Sequence, residues 1–404
     1  MRWMFIAIIV AISSLYAETT KEIDKKWSSN KKCEACHMNI SNYWETSRHS
    51  NSHFSKNDLY KKSLEYIVLK TPKLIMDEVK IDCAKCHNPR ITQKYVKQED
   101  KFLLALGITK QQEKYTKALN AEHMKNGINC IVCHNIDEIH LDKSKGSQGL
   151  NSVKFGPQGT MFGPLDDAKS PYHKTELRPH FTDTNPMLCF SCHYGAKNHN
   201  GLEVYATGKE YDRFKNKKAE EGCKKCHMSE KREGYASNFP IDGKRPKKRM
   251  VRDHKFASVD NSDILKKYVD IESRKEENRY AITLLNRAPH SIPTGYGLRE
   301  IILRVSFLDK NGKKLSTDTN TLGASWRDKR GELTIPHLAK SIESDTRLKG
   351  KSRETFYYDI PSRAKSVSYE LSYRLIGSDI AKKIGVTDKF FLKEYIVVKR
   401  EMAL

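Results

Sequence analysis

Cys33-Glu34-Ala35-Cys36-His37 opens a pattern that returns as Cys83 to His87, Cys130 to His134, Cys189 to His193 and Cys223 to His227, and these five copies use all ten cysteines of the 404-residue chain. Two thiols three residues apart, with an imidazole directly after the second, match the attachment chemistry of c-type haem. The thiols add to the two vinyl groups of one porphyrin and the imidazole reaches its iron. A disulfide, half a zinc site or a redox dithiol also uses a Cys-x-x-Cys pair, but none of these requires the histidine. Its presence five times in five, with no cysteine left over, predicts five covalently attached haem c groups. They are held by Cys33, Cys36, Cys83, Cys86, Cys130, Cys133, Cys189, Cys192, Cys223 and Cys226. His37, His87, His134, His193 and His227 are then the proximal iron ligands.

Outward from the first motif, residues 1–17 read as a cleaved secretory signal peptide: Arg2 leads, Met4 to Ile12 is apolar, and Ala17 precedes polar Glu18. That apolar run is too short to span a bilayer, and no later segment is apolar enough. The expectation is a periplasmic protein that is not integral to the membrane after cleavage. At 38% the hydrophobic fraction is low for a globular chain of this length, and porphyrin can supply the missing apolar interior. The formal charge of +23 is reduced by haem propionates but stays basic, which either steers an acidic redox partner or anionic surface or simply keeps the surface soluble. No segment resembles a nucleic-acid-binding module.

The expected fold class is α+β. Residues 18–243 form a mainly helical or irregular multihaem domain, 244–256 a basic linker, and 257–404 a β-sandwich-like domain. In the first, motif starts are 50, 47, 59 and 34 residues apart, so the copies are irregular repeats, with helical pieces at Asp58 to Leu69 and Lys94 to Asn126. Gly146 to Pro164 is too rich in glycine and proline for one helix and is expected to wrap over porphyrin. Gly243 to Arg252, GKRPKKRMVR, reads as a solvated connection. Beyond Lys255 the period becomes two: Val367, Tyr369, Leu371, Tyr373 and Leu375 alternate with mostly polar residues, and Glu300 to Phe307 runs into the turn Asp309-Lys310-Asn311-Gly312. Arg279 to Leu285, Glu354 to Ile360 and Phe391 to Lys399 are further strand candidates.

Each iron needs a second axial ligand. Ten of the fifteen histidines lie outside the motifs: His49, His53, His123, His140, His173, His180, His199, His254, His290 and His337. Met38 and Met228 adjoin proximal histidines and are badly placed to reach the opposite face of the same haem, so they are assigned to packing.

Cys33 to His37 followed by Trp44, Ser47 and His49 resembles the opening of the cytochrome c-554/c-prime class of multihaem cytochromes, where a W-x-x-S-x-H segment carries a distal histidine. The resemblance implies that role for His49. His123 in HMKNGINCIVCH is similar to that class's histidine before a glycine and the next haem motif. SPYHKTELRPHF, Tyr205-Ala206-Thr207 and Cys-Lys-Lys-Cys-His227-Met228 resemble a larger bacterial multihaem group that ends in a β-domain. There His173 and His180 compete for one distal role, and the resemblance leaves both open. Arg252 to Phe256 and Asn286 to Gly295 also resemble segments of that group, which implies that His254 and His290 are distal ligands and that iron joins the two parts of the chain. Pro289 and Pro293 restrict the backbone on both sides of His290, and Gly295 permits a sharp turn.

With both axial positions filled there is no vacancy for substrate, so the expected function is electron transfer between redox proteins, such as a quinol-oxidising membrane complex and a terminal reductase. The competing expectation is a pentahaem enzyme acting on a small nitrogen or sulfur oxyanion at one open iron, like the ammonia-forming nitrite reductases. Against it, no motif here ends in lysine, and the C-terminal region reads as β-rich. The β-domain is expected to act as a lid, with self-association through its edge strands as the alternative.

Overall fold

Helical and strand periodicities segregate along the chain, and the architecture is α+β. The computed structural model describes residues 30–89, 113, 116–143, 148–214, 222–240 and 243–404. The signal-peptide expectation and most of the helix expected from Lys94 lie outside those residues. Contacts divide the chain into two compact units, Met1–Cys192 with Glu221–Phe256, and His193–Glu220 with Ala257–Leu404.

Among the described residues up to His227 the helices, in chain order, are α1 (Lys31–Glu45), α2 (Asp58–Lys70), α3 (Met76–His87), α4 (Glu122–Lys125), α5 (Cys130–His134), α6 (Met187–His193), α7 (Thr207–Phe214) and α8 (Cys223–His227). Local chemistry sets their starts: the Asn57 side chain accepts from Tyr60 N ahead of α2, and Asn129 accepts from Val132 N ahead of α5. Trp44 closes the inner face of α1, 6% exposed, and its indole N–H donates to Ile128 O at 2.8 Å. Short ribbons fill the rest of this unit. β1 (Ile136–Ile139) pairs antiparallel with β2 (Val153–Phe155), and β3 (Thr160–Gly163) pairs parallel with β4 (Lys174–Leu177). The described part of the stretch expected to be non-helical thus forms a 3₁₀ turn, Gly149–Ser152, and two strands.

Two local expectations are corrected here. The basic stretch 243–252 is not merely a solvated connection: β8 (Lys248–Val251) pairs antiparallel with β7 (Arg232–Tyr235), and Arg249 and Lys247 reach Asp167. Charge dominates the composition of that stretch, but a strand needs only backbone partners and one face able to meet solvent. Met38, which the sequence assigns to packing, is instead 47% exposed.

In the second unit β5 (Ala196–Lys197) and β6 (Glu203–Tyr205) form a ribbon beside α7. Two sheets follow, in the orders β15-β10-β9 and β12-β11-β16-β17. Their strands are β9 (Val269–Glu276), β10 (Arg279–Asn286), β11 (Glu300–Leu308), β12 (Lys314–Leu322), β15 (Arg353–Asp359), β16 (Ser366–Arg374) and β17 (Glu394–Ala403), while β13 (Ala324–Arg327) and β14 (Ser341–Asp345) pair separately. Tyr280, Ile282 and Leu284 of one sheet meet Leu303, Val305, Phe307, Val367, Tyr369 and Leu371 of the other in a single buried cluster, so the sheets form a sandwich. Each large apolar side chain buried there contributes about 1.5–3 kcal/mol. The Asp309–Gly312 turn is formed as expected: Asp309 Oδ1 accepts from the Asn311 and Lys313 amides, and Gly312 takes φ +75°. The last strand starts at Glu394, three residues later than expected. Asp388 caps a short helical turn, Lys389–Leu392, that removes Phe391 from the ladder.

Candidate haem-binding site

All five Cys-x-x-Cys-His runs lie on helices: α1, α3, α5, α6 and α8. On a helix, positions i, i+3 and i+4 share one face, which groups the two thiols and the imidazole of a run, except that α1 kinks at His37 (φ -111°, ψ 39°). None of the ten cysteines is in a disulfide, and each is half-buried. Where they touch one another they do so between motifs, Cys33 with Cys130, Cys86 with Cys192 and Cys189 with Cys223. Burial pushes the Cys83 and Cys133 thiols up to about 12. The attachment sites are therefore enclosed and adjacent.

The imidazoles are oriented through Nδ1. His37 Nδ1 meets Ala236 O, His134 Nδ1 meets Phe162 O at 2.7 Å, and His87 Nδ1 meets Ser52 O at 3.2 Å. Outside the motifs, His254 Nδ1 meets Arg252 O at 3.1 Å, His290 Nδ1 meets Ser291 O at 3.0 Å and His173 Nδ1 meets Lys174 O at 3.3 Å. A carbonyl on Nδ1 fixes the tautomer whose Nε2 lone pair can bond a metal. Burial holds His87, His134 and His290 below the usual histidine range and takes His254 to about 4, so these rings are neutral at pH 7, as metal bonding requires.

Two ring pairs stand out. His37 and His173 have centroids 6.3 Å apart, and His134 and His254 have centroids 6.2 Å apart with planes 25° from parallel. Two imidazoles bonding one metal from opposite sides at about 2 Å have centres roughly 6 Å apart. Residues, tautomers and spacing all fit haem iron at these two places.

The remaining histidines are placed differently. His180 is buried with Nε2 against Ile136 O at 3.1 Å, and both ring nitrogens of His53 are engaged, by Ser55 Oγ and Leu119 O. His140 is an exposed partner of Glu138, and the His337 ring lies 6.0 Å from Tyr296. His49 packs edge-on against Phe256 at 4.3 Å, and its carbonyl accepts from Ile128 N. His123 lies on α4. Gly295 takes φ +81° in the His290 loop, as expected from its sequence, and the Ile292–Pro293 peptide is cis.

Two side chains with roles near these groups escaped the sequence reading. Lys224, between Cys223 and Cys226, is 6% exposed and donates to His180 O and Asn185 O at 3.1 and 2.8 Å. Glu210 on α7 accepts from Ser291 N, Thr294 Oγ1 and Arg347 Nη1, fixing the loop that carries His290. Charge patterns along one segment give no sign of partners this distant.

Residues 70–238 match the family described as outer membrane cytochrome MtrC/MtrF-like, domains II/IV. A penta-heme cytochrome c552 from Thermochromatium tepidum superposes with a TM-score of 0.69 at 19% identity, over 93% of this chain and 98% of that one. Over residues 70–238 the chain is thus similar to multihaem cytochromes, and over most of its length it shares the fold of one. Hypothetical protein PH1083 from Pyrococcus horikoshii OT3, at TM-score 0.16, 8% identity and covering 34% of this chain and 87% of its own, is too slight a likeness to argue from. The same holds for a superoxide reductase in the oxidised state, at TM-score 0.17, 9% identity and covering 34% of this chain and 86% of its own. No curated protein matches the chain. Among the described residues, no helix is long and apolar enough to cross a membrane.

Proposed function

We propose that this cytochrome carries five haems, each with two histidine ligands, and passes electrons between redox proteins in the periplasm. The observation that carries the reading is the spacing of the His37–His173 and His134–His254 rings, 6.3 and 6.2 Å, each with Nδ1 turned to a backbone carbonyl. Haem c, when bound, supplies reversible one-electron chemistry at iron. The chain's part is to fill both axial positions, to fix the imidazole tautomers and to hold the thiols of neighbouring motifs together. The Nε2 contact of His180 with Ile136 O supports assigning the role left open between the two to His173. His49, His123, His173, His254 and His290 then make five distal groups for five motifs. Export follows from the leader-like residues 1–17, since c-type haem is attached outside the bacterial cytoplasmic membrane.

Spectroscopy of haem spin state on the purified holoprotein tests this. Five low-spin irons per chain are expected, and His173→Ala and His254→Ala should each turn one of them high-spin while His180→Ala turns none. A wild-type high-spin haem that binds nitrite or carbon monoxide and turns substrate over would replace the electron-carrier reading with an oxyanion enzyme.

A further inference from the structure

Three large apolar side chains stand in solvent around the His37–His173 pair: Met38, 47% exposed, Tyr172, 63%, and Phe239, 52%. Met38 follows His37 and Tyr172 precedes His173, while Asn238 beside Phe239 is bonded to the first motif through Asn238 N to Cys36 O and Asn39 N to Asn238 Oδ1. An apolar centre with a polar rim is the anatomy of a protein-docking patch.

The rim is cationic. Lys244, Arg245, Lys247 and Lys248 are exposed, and Lys248 sits opposite Tyr235, the neighbour of the Ala236 carbonyl that orients His37. Lys247 pairs with Asp167 at 2.8 Å and Lys248 with Glu233 at 3.1 Å, all four side chains well exposed. Exposed pairs of this kind hold little energy and can be exchanged for a partner's carboxylates. The carboxylates interspersed in the rim repel the uniform phosphate layer of a membrane, whereas a folded protein can match an alternating pattern charge for charge.

We propose that this face is the docking surface for an acidic electron-transfer protein, whose redox centre it brings up to the first attachment motif. The proposal rests on the electron-carrier reading above and adds where on the chain exchange takes place and with what kind of partner. The test is a binding titration of purified holoprotein with an acidic flavodoxin as probe, at low and at physiological ionic strength, combined with zero-length carbodiimide cross-linking. Saturable binding that weakens with salt is expected, with cross-links at Lys244, Lys247 and Lys248. The combined variant Lys244→Glu, Arg245→Glu, Lys247→Glu, Lys248→Glu should bind about tenfold more weakly, and Tyr172→Ala with Phe239→Ala about threefold. A control of similar charge change on the β11–β12 hairpin, Lys310→Glu, Lys313→Glu and Lys314→Glu, should change binding less than about twofold. Equal weakening by the control, cross-links confined to the sandwich, no saturable binding of the probe, or capture of anionic vesicles in place of flavodoxin through the same four residues would each overturn it. Low-spin spectra retained in the fourfold variant separate this failure from failure of the ligand assignment.

Discussion

At the scale of single residues, Lys224 and His53 show how this chain handles buried polar groups. The Lys224 ammonium bonds two carbonyls, and burial lowers its pKa. Replacing it with Met removes the cost of burying a charge but leaves His180 O and Asn185 O without these donors, a penalty of about 1–3 kcal/mol. We expect Lys224→Met to destabilise the holoprotein by about 1 kcal/mol in denaturant unfolding. An unchanged or raised midpoint would show that desolvation had outweighed the two bonds. His53 tests the opposite sign of charge gain. Burial, the largest cause, holds it below the histidine range, while the Leu119 carbonyl pulls it up and Lys56, Lys125 and Lys80 push it down. The unfolded chain therefore takes the proton first as pH falls below about 6.5, so the contribution of His53 is full above that value and is lost toward acid. Thermal unfolding of His53→Gln at pH 7.5 and 5.5 should differ less than that of wild type, and equal differences would exclude His53 as a source of acid lability. What was legible at this scale was what covalent chemistry dictates: two thiols and an imidazole at fixed spacing. The carbonyls that orient those imidazoles were not, because Ala236 for His37 and Phe162 for His134 come from distant segments.

At the scale of elements, helix α7 shows why context governs a ligand loop. Tyr194 O accepts from the Gly208 and Lys209 amides at the start of α7, and Tyr194 Oη reaches Asp212 at 3.2 Å. Glu210, one turn on, binds Ser291 N at 3.1 Å, Thr294 Oγ1 at 2.9 Å and Arg347 at 2.9 Å. Glu210→Ala leaves the half-buried Arg347 paired with Asp345 and removes the acceptor for the Ser291 amide. A loss of about 3 kcal/mol is expected, together with partial high-spin character at the haem served by His290; Glu210→Gln, which keeps an acceptor oxygen, should retain the low-spin spectrum. If both variants lose it equally, the charge and not the acceptor holds the loop. Elements with a strong period were readable from sequence, as β16 shows, with Val367, Tyr369, Leu371 and Tyr373 all buried. Where a short element depends on a partner, as β8 does on β7, composition misled, because the ladder bonds are invisible until Arg232 meets Val251.

At the scale of the whole molecule, the two units differ in what holds them together. The sandwich owns a continuous core running from Val269 through Phe307 to Tyr373. The unit with the attachment motifs shows, among the described residues, small clusters such as Ile81, Ala84, Leu119 and Met124, or Ile131 with Cys33 and Met161 against it. Apolar residues make up 38% of the chain, but among the described residues the large continuous buried cluster lies in the sandwich, and burial at about 25 cal/mol per Å² in the small clusters of the other unit offsets less of its chain entropy unless apolar material is added. Thiols from different motifs that touch, such as Cys189 and Cys223, bring neighbouring motif helices together. The chain made without residues 1–17, in a compartment that does not attach haem, should therefore fold only in part. Far-ultraviolet circular dichroism is expected to show sheet with little helix, and hydrogen exchange to protect 279–308 and 366–374 while 31–45 and 76–87 exchange freely. Holoprotein should regain the helical signal and protect all four segments. Helical content and protection in the haem-free chain equal to those of the holoprotein would mean that the first unit is held by side chains alone, and that the low apolar content of this sequence has another cause.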